Sequence, residues 1–469
     1  MEVNMRRAIL TLLLFISNQL FASDNYTPNE VLLQRAAIGD TKAQLLIGVN
    51  YYKGNGVEKD PIEASAWLYL AFLNSDKNED YQAIFAQQAS SLTDEQLNQV
   101  EARLKKLVKT YSKRNTSKIF SPVLISDIDC KDRLPPKPKK RQAPKYPMPA
   151  LKQGVIGSTQ LEFSVSKYGN VRDIEVVKYT DKAFVKPSLI ALERWQYISN
   201  EEHYTDVSVH LNYNIQGKSS INPKAFKKQL EKALSDNTDA RAQYLAKDWL
   251  NIVQSHLSNE QRKDVAKWYK QEREIKHSPF QWQEQNFWLM KAAQNGLAQA
   301  QFELGINMQR GRGCKVDKTA AEQWLQAAAN QNYLPAKALA GLNLLKKGDF
   351  ESQKAAIELL KSASESKSIY RPRLELAWVL STTEHQLLRD PEFALDILDD
   401  NPRLYRDTVR ILETQAAAYA AEGDFDEAED LQEEAIEEAE ELGWQINPEM
   451  AARLAKYKNK QLITGDYYL

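Results

Sequence analysis

Two hydrophobic periods run along this chain. Over residues 35–67, and again over 292–324, small and apolar residues recur at three- and four-residue steps, a pattern that predicts paired amphipathic helices. From Tyr146 the period drops to two. Leu161, Phe163 and Val165 alternate with Gln160, Glu162 and Ser164, as in a half-buried strand. Lys167-Tyr-Gly-Asn170 supplies a turn, and the chain returns through Val171 to Val177. Phe184, Ser188, Ala191 and Trp195 follow at helical spacing. Val207, Val209, Leu211, Tyr213 and Ile215 then alternate with Ser208, His210, Asn212 and Asn214. The expected fold is therefore mainly α, built from repeated helix pairs, with an inserted small α+β domain of order strand, strand, helix, strand.

The two helical blocks superpose without a gap. With Gly39 on Gly296, Ala43 meets Ala300, Gln44 meets Gln301 and Gly48 meets Gly305. Gly54 and Gly56 meet Gly311 and Gly313, Asp60 meets Asp317, Ala64 meets Ala321, and Trp67 meets Trp324. Small residues let two antiparallel helices approach, and the glycine pair gives the loop between them its backbone freedom. These residues resemble the Sel-like repeat, a relative of the tetratricopeptide repeat, and the resemblance implies a solenoid that binds proteins or peptides. A degenerate copy runs from Asn332 through Gly341, Ala356 and Ala363. Further on, Ala416, Tyr419, Ala428 and Ala435 keep tetratricopeptide spacing. Thr93 with Gln96 and Ser258 with Gln261 read as capping boxes opening two more amphipathic helices.

In the insert, Tyr146, Pro147, Gly157, Gly169 and Trp195, with Phe163, Val165 and Ala191-Leu192, resemble the C-terminal domain of TonB-type energy transducers. The resemblance implies a partner mode in which a short extended segment of an outer-membrane receptor lies beside the last strand, bound through main-chain hydrogen bonds. The candidate edge is Val207, Val209, Leu211, Tyr213 and Ile215. The other reading has a repeat helix or a dimer partner covering it. This chain departs from a transducer in having a short proline-rich arm and a mid-chain domain. At ~3.1 Å per residue, residues 135–149 reach only some tens of ångströms, which argues against direct force transmission by this chain alone.

Composition narrows the function. A net charge of −1 over 469 residues gives no global attraction to nucleic acid or lipid. Residues 135–149 are rich in proline and in Lys137, Lys139, Lys140 and Arg141, and read as a solvated, semi-rigid connector; no nucleic-acid partner is expected. The two arginines and short apolar run near the start, ending at Ala22, read as a signal peptide, which places the mature chain in the periplasm; the alternative is an uncleaved inner-membrane anchor. Only Cys130 and Cys314 are present, so no disulfide scaffold is built; a single bridge between them stays open, although Cys314 stands where Val57 stands in the first block and reads as a small buried hydrophobe. His203, His210, His256, His277 and His385 have no metal-ligand spacing. Without a nucleophile elbow, phosphate loop or dinucleotide fingerprint, no catalytic residue, metal, cofactor or small-molecule substrate is assigned. The acidic run 422–441 keeps one apolar stripe and reads as a solvated helix.

The expected layout is a signal peptide (1–22), a first Sel-like block (23–115), the Pro/Lys linker (116–145), the TonB-like domain (146–217), a helical connector (218–275), Sel-like and tetratricopeptide-like repeats (276–445) and a tail (446–469). The expected function is a periplasmic protein-interaction adaptor that takes a protein or peptide, an outer-membrane receptor segment by the resemblance, in connection with transmembrane transport. The alternative is a repeat scaffold in which the inserted domain is a spacer or dimerisation unit. Oligomeric state is left open.

Overall fold

The computed structural model describes residues 28–124, 136–199, 203–215, 223–236, 238–365, 370–398, 405–444 and 448–465. The expected signal peptide and Cys130 lie outside the described residues. The chain forms two compact units, each discontinuous in sequence: Met1–Arg133 with Ile221–Ala336, and Leu134–Ser220 with Lys337–Leu469.

The first unit is helical. Its two Sel-like blocks have the same local geometry, which is why they superpose in sequence. A Cβ at Gly48 would come within 2.8 Å of Leu68 Cγ and 3.0 Å of the Ala64 carbonyl oxygen. One at Gly305 would meet Leu325 Cγ and the Ala321 oxygen at the same two distances. Only glycine permits that helix contact. Asp60 and Asp317 cap the second helix of each pair, and Trp67 and Trp324 are buried beneath. The blocks, far apart in sequence, join in one unit: Gln301 Nε2 donates to Asp40 Oδ2 at 3.0 Å, and Trp324 Nε1 donates to the Phe120 carbonyl at 2.9 Å. Cys314 is fully buried in the core that Trp324 and Phe120 share. Both expected capping boxes form, at Thr93 and at Ser258.

In the second unit the degenerate repeat is real. Gly341 lies against Leu360 and the Ala356 oxygen as Gly48 does against its partners. The helices used below are α1 (Met148–Gln153), α2 (Val185–Glu193), α3 (Arg371–Thr382), α4 (Thr408–Glu422), α5 (Phe425–Glu441) and α6 (Pro448–Lys458). The acidic run forms α5, burying Ala428, Gln432, Ala435 and Ala439. The stretch expected as a tail carries α6, which buries Met450, Arg453 and Tyr457.

The inserted domain has the expected strands β2 (Gly157–Val165), β3 (Val171–Tyr179) and β5 (Tyr204–Tyr213), with α2 between β3 and β5. Its apolar core gathers Leu161, Phe163, Val165, Ile174, Leu192 and Trp195. Three short strands add to it: β1 (Pro138–Lys140), β4 (Gln196–Tyr197) and β6 (Tyr405–Arg406). β1 pairs antiparallel with β4, so the expected connector is instead ordered against the domain. Its prolines limit the ladder but do not forbid it at an edge. The main sheet runs β5-β2-β3-β6, antiparallel throughout, and β6 comes from the C-terminal repeats.

Candidate peptide-binding edge of the inserted domain

Among the described residues strand β5 ends the sheet, and its alternation is as read from the sequence. Leu211 and Tyr213 are buried, Val207 and Val209 half-buried, and Ser208, His210 and Asn212 exposed. Ile215 lies two residues past the strand and is half-buried. Helix α2 packs over β3, so the two valines on the far strand keep only partial cover. Along this edge the backbone and half-covered apolar side chains lie together, which is what an added strand uses.

The motif residues hold that edge in place. Tyr146 stands edge-on to Tyr213, with ring centroids 5.5 Å apart, and Tyr213 stacks on Phe184 at 4.3 Å. The Tyr-Pro entrance is thereby fastened to the end of β5, and Pro147 leads into α1. Burial pushes the Tyr213 phenol up, against the hydrogen bond to Ser188, which lies 2.7 Å away and in turn 2.7 Å from Thr159. This hydroxyl chain ties β5, α2 and β2 together. A Cβ on Gly157 would fall 2.0 Å from Thr180 Oγ1 and 2.7 Å from the Phe184 ring. Gly169, at φ +87°, would place one 2.1 Å from the Tyr197 carbonyl oxygen, because β4 hooks over the turn. Trp195 donates from Nε1 to the Gln142 carbonyl at 2.8 Å, with the Arg141 guanidinium over its ring.

The middle of the opposite edge is covered by the chain itself, with no periodic pattern in the sequence to announce it. Ile174 pairs with Arg406 and Glu175 with Tyr405. Around this junction lies a buried ion network. Arg172 donates to Asp407 at 3.2 Å and to Glu413 at 3.3 Å, and the Asp173 amide donates to Asp407 at 3.0 Å. Arg410 is buried between Asp173 and Glu375, and Arg453 donates to Glu413 at 2.7 Å. Burial opposes the charge on Asp173, but Arg410, Arg371 and Arg172 outweigh it and hold that carboxyl well below its usual range. Burial dominates at Glu175, pushing it up to about 7 despite Arg371. The only sequence signal was the charged pairing of Arg406-Asp407 with Arg410 and Glu413. A two-residue strand has no period to detect.

The other candidate chemistry stays scattered. His210 is on the exposed face of β5, and among the described residues no group of three His, Cys, Asp or Glu residues could hold a metal. In the first unit a polar recess is lined by Thr41, Asn74, Asp76, Lys113 and Lys291. Its lysines share Asp76 at 2.7 and 3.2 Å, so their charge is partly answered within the site. No helix among the described residues is long and apolar enough to cross a membrane.

Comparison with known proteins finds two families in the chain. Residues 142–216 match the family described as Gram-negative bacterial TonB protein C-terminal, and residues 41–76 and 298–333 match the Sel1 repeat. No curated protein matches the chain. Among solved structures, a Sel1 repeat protein from Oxalobacter formigenes is similar at 18% identity, over 51% of this chain and 99% of its own, with a TM-score of 0.30. A protective antigen present in uropathogenic Escherichia coli strains, displaying an SLR fold, is similar at 14% identity, over 94% of this chain and 77% of its own, with a TM-score of 0.30. The chain carries Sel1 repeats with a TonB C-terminal-type domain between them.

Proposed function

We propose that the protein is a periplasmic adaptor whose inserted domain takes an extended peptide along β5, with an outer-membrane receptor segment as the partner, while the repeats supply a second binding surface. The observation that supports this reading is the difference between the two sheet edges among the described residues: β3 is paired with β6 at Ile174 and Glu175, whereas β5 ends the sheet with Val207 and Val209 half-covered. A protein built to bind by strand addition needs one such edge and gains from closing the other. The reading is one of binding rather than catalysis. It is tested by hydrogen exchange on the full chain with a peptide from the N-terminal segment of an outer-membrane receptor. Slowed exchange across Tyr204–Tyr213 is expected; unchanged exchange at saturating peptide would reject the site.

The buried ion network favours a second reading, in which the domain is a rigid spacer on a repeat scaffold. Under that reading, removing residues 146–217 leaves every partner bound.

A further inference from the structure

We propose that the ordered basic ribbon ahead of the αβ domain is a docking surface for anionic phospholipid, separate from the β5 edge. Residues 135–149 contain no acidic side chain, although the whole chain is close to neutral. Lys137, Lys139, Lys140, Arg141 and Lys145 are all exposed.

This ribbon is held at four points. β1 pairs with β4, the Ile198 amide donates to the Lys137 carbonyl at 2.9 Å, Trp195 donates to the Gln142 carbonyl, and Arg141 lies 4.9 Å over the Trp195 ring. With the backbone and Arg141 held in this way, little chain has to be ordered when a surface binds the cations. Pro138 lacks a backbone donor, so strand addition is hindered on β1 and recognition falls to the side chains.

The next helix decides between partners. α1 turns Ala150 inward against Phe184 and Tyr213 but leaves Met148 (59%) and Leu151 (40%) exposed. Their spacing puts them, with exposed Lys152, on one stripe of the helix. An acidic protein would answer the lysines and leave Met148 and Leu151 unexplained. A headgroup layer answers both, with phosphates for the cations and the acyl boundary for the apolar side chains.

The test is co-sedimentation of the full chain with vesicles of phosphatidylcholine alone and of phosphatidylcholine with about a third phosphatidylglycerol. Binding is expected only to the anionic vesicles, weakening between ~0.1 and ~0.5 M salt as screening shortens. Lys137→Gln, Lys139→Gln, Lys140→Gln and Lys145→Gln together should weaken it at least ~10-fold, since each basic residue near an anionic surface contributes roughly fivefold. Arg141 is left in place because it packs on Trp195. Met148→Ser with Leu151→Ser should weaken binding severalfold while its salt dependence persists. These surface changes leave the melting curve unchanged if the ribbon is not structural, and the Met148 and Leu151 pair tests the surface if it is. No binding to anionic vesicles, equal binding to both kinds, or wild-type binding by the lysine variant would overturn the proposal. Capture of soluble polyglutamate without vesicle binding would overturn it too, in favour of an acidic protein.

Discussion

At the scale of single residues, the glycines separate two costs that sequence alone merges. Gly169 and Gly423 both have positive φ, +87° and +96°, yet an added Cβ meets the Tyr197 carbonyl at 2.1 Å in the first and nothing within 4 Å in the second. Gly423→Ala is expected to cost about 1 kcal/mol from backbone strain alone. Gly169→Ala must also displace β4, and should cost at least about 3 kcal/mol. Thermal melts of the two variants measure the gap directly. Glu175 supplies a second test. Its pKa rises from 4.5 unfolded to about 7 folded, so its contribution to stability is full below pH 4.5 and is lost as pH rises through 7. The second unit should therefore melt lower at pH 8 than at pH 5. Glu175→Gln should flatten that slope; an unchanged slope would place the titration elsewhere.

Among elements, β6 matters most for its size. It adds only Tyr405 and Arg406 to the sheet, but it brings Asp407 and Arg410 into the buried network. Arg410→Met removes the guanidinium that Asp173 and Glu375 share, leaving Arg371 and the Tyr405 hydroxyl to answer two buried carboxylates, and should cost about 3 kcal/mol. Lys458→Met, which removes an exposed pair with Glu433, should cost less than about 1 kcal/mol. Equilibrium unfolding in denaturant distinguishes them, and equal losses would mean that the network does not secure the edge. The same contrast explains what could be read from the sequence. The strands β2, β3 and β5 announce themselves because Leu161, Phe163 and Val165, or Val207, Val209 and Leu211, repeat a period of two over a long enough run. The repeats do so because Gly48, Gly305 and their partners recur in register. β1, β4 and β6 are set by tertiary contacts such as Arg141 on Trp195 and Tyr405 on Asp173, which leave no local pattern. The prolines of residues 135–149 pointed away from pairing, and an edge position overrode them.

For the whole molecule, the two units cross one another in sequence. Residues 134–220 leave the first unit's chain and belong with residues 337–469. Ending the protein after Ala336 keeps the whole first unit but strips β6 and the partners of Arg172 and Asp173 from the αβ domain. The shortened chain should keep the first unit's melting transition, while its αβ domain exchanges amide hydrogens in β3 much faster than in the full protein. Unchanged protection of β3 would mean that the domain stands without its repeats.

That wiring has a consequence for biosynthesis. Asp173 meets Tyr405 across 232 residues of chain. A nascent chain that has completed the αβ domain still has the whole of the connector and the second Sel1 block to make before β6 exists. Without β6, β3 lacks its partner at Ile174 and Glu175, and Arg172 and Asp173 lack the counterions that the repeats supply. Chains in this state are open to edge-to-edge association with one another. The acquisition of β6 is then the step that covers Ile174 and Glu175, and it requires nearly the whole chain, whether that emerges from a ribosome or from a secretion channel.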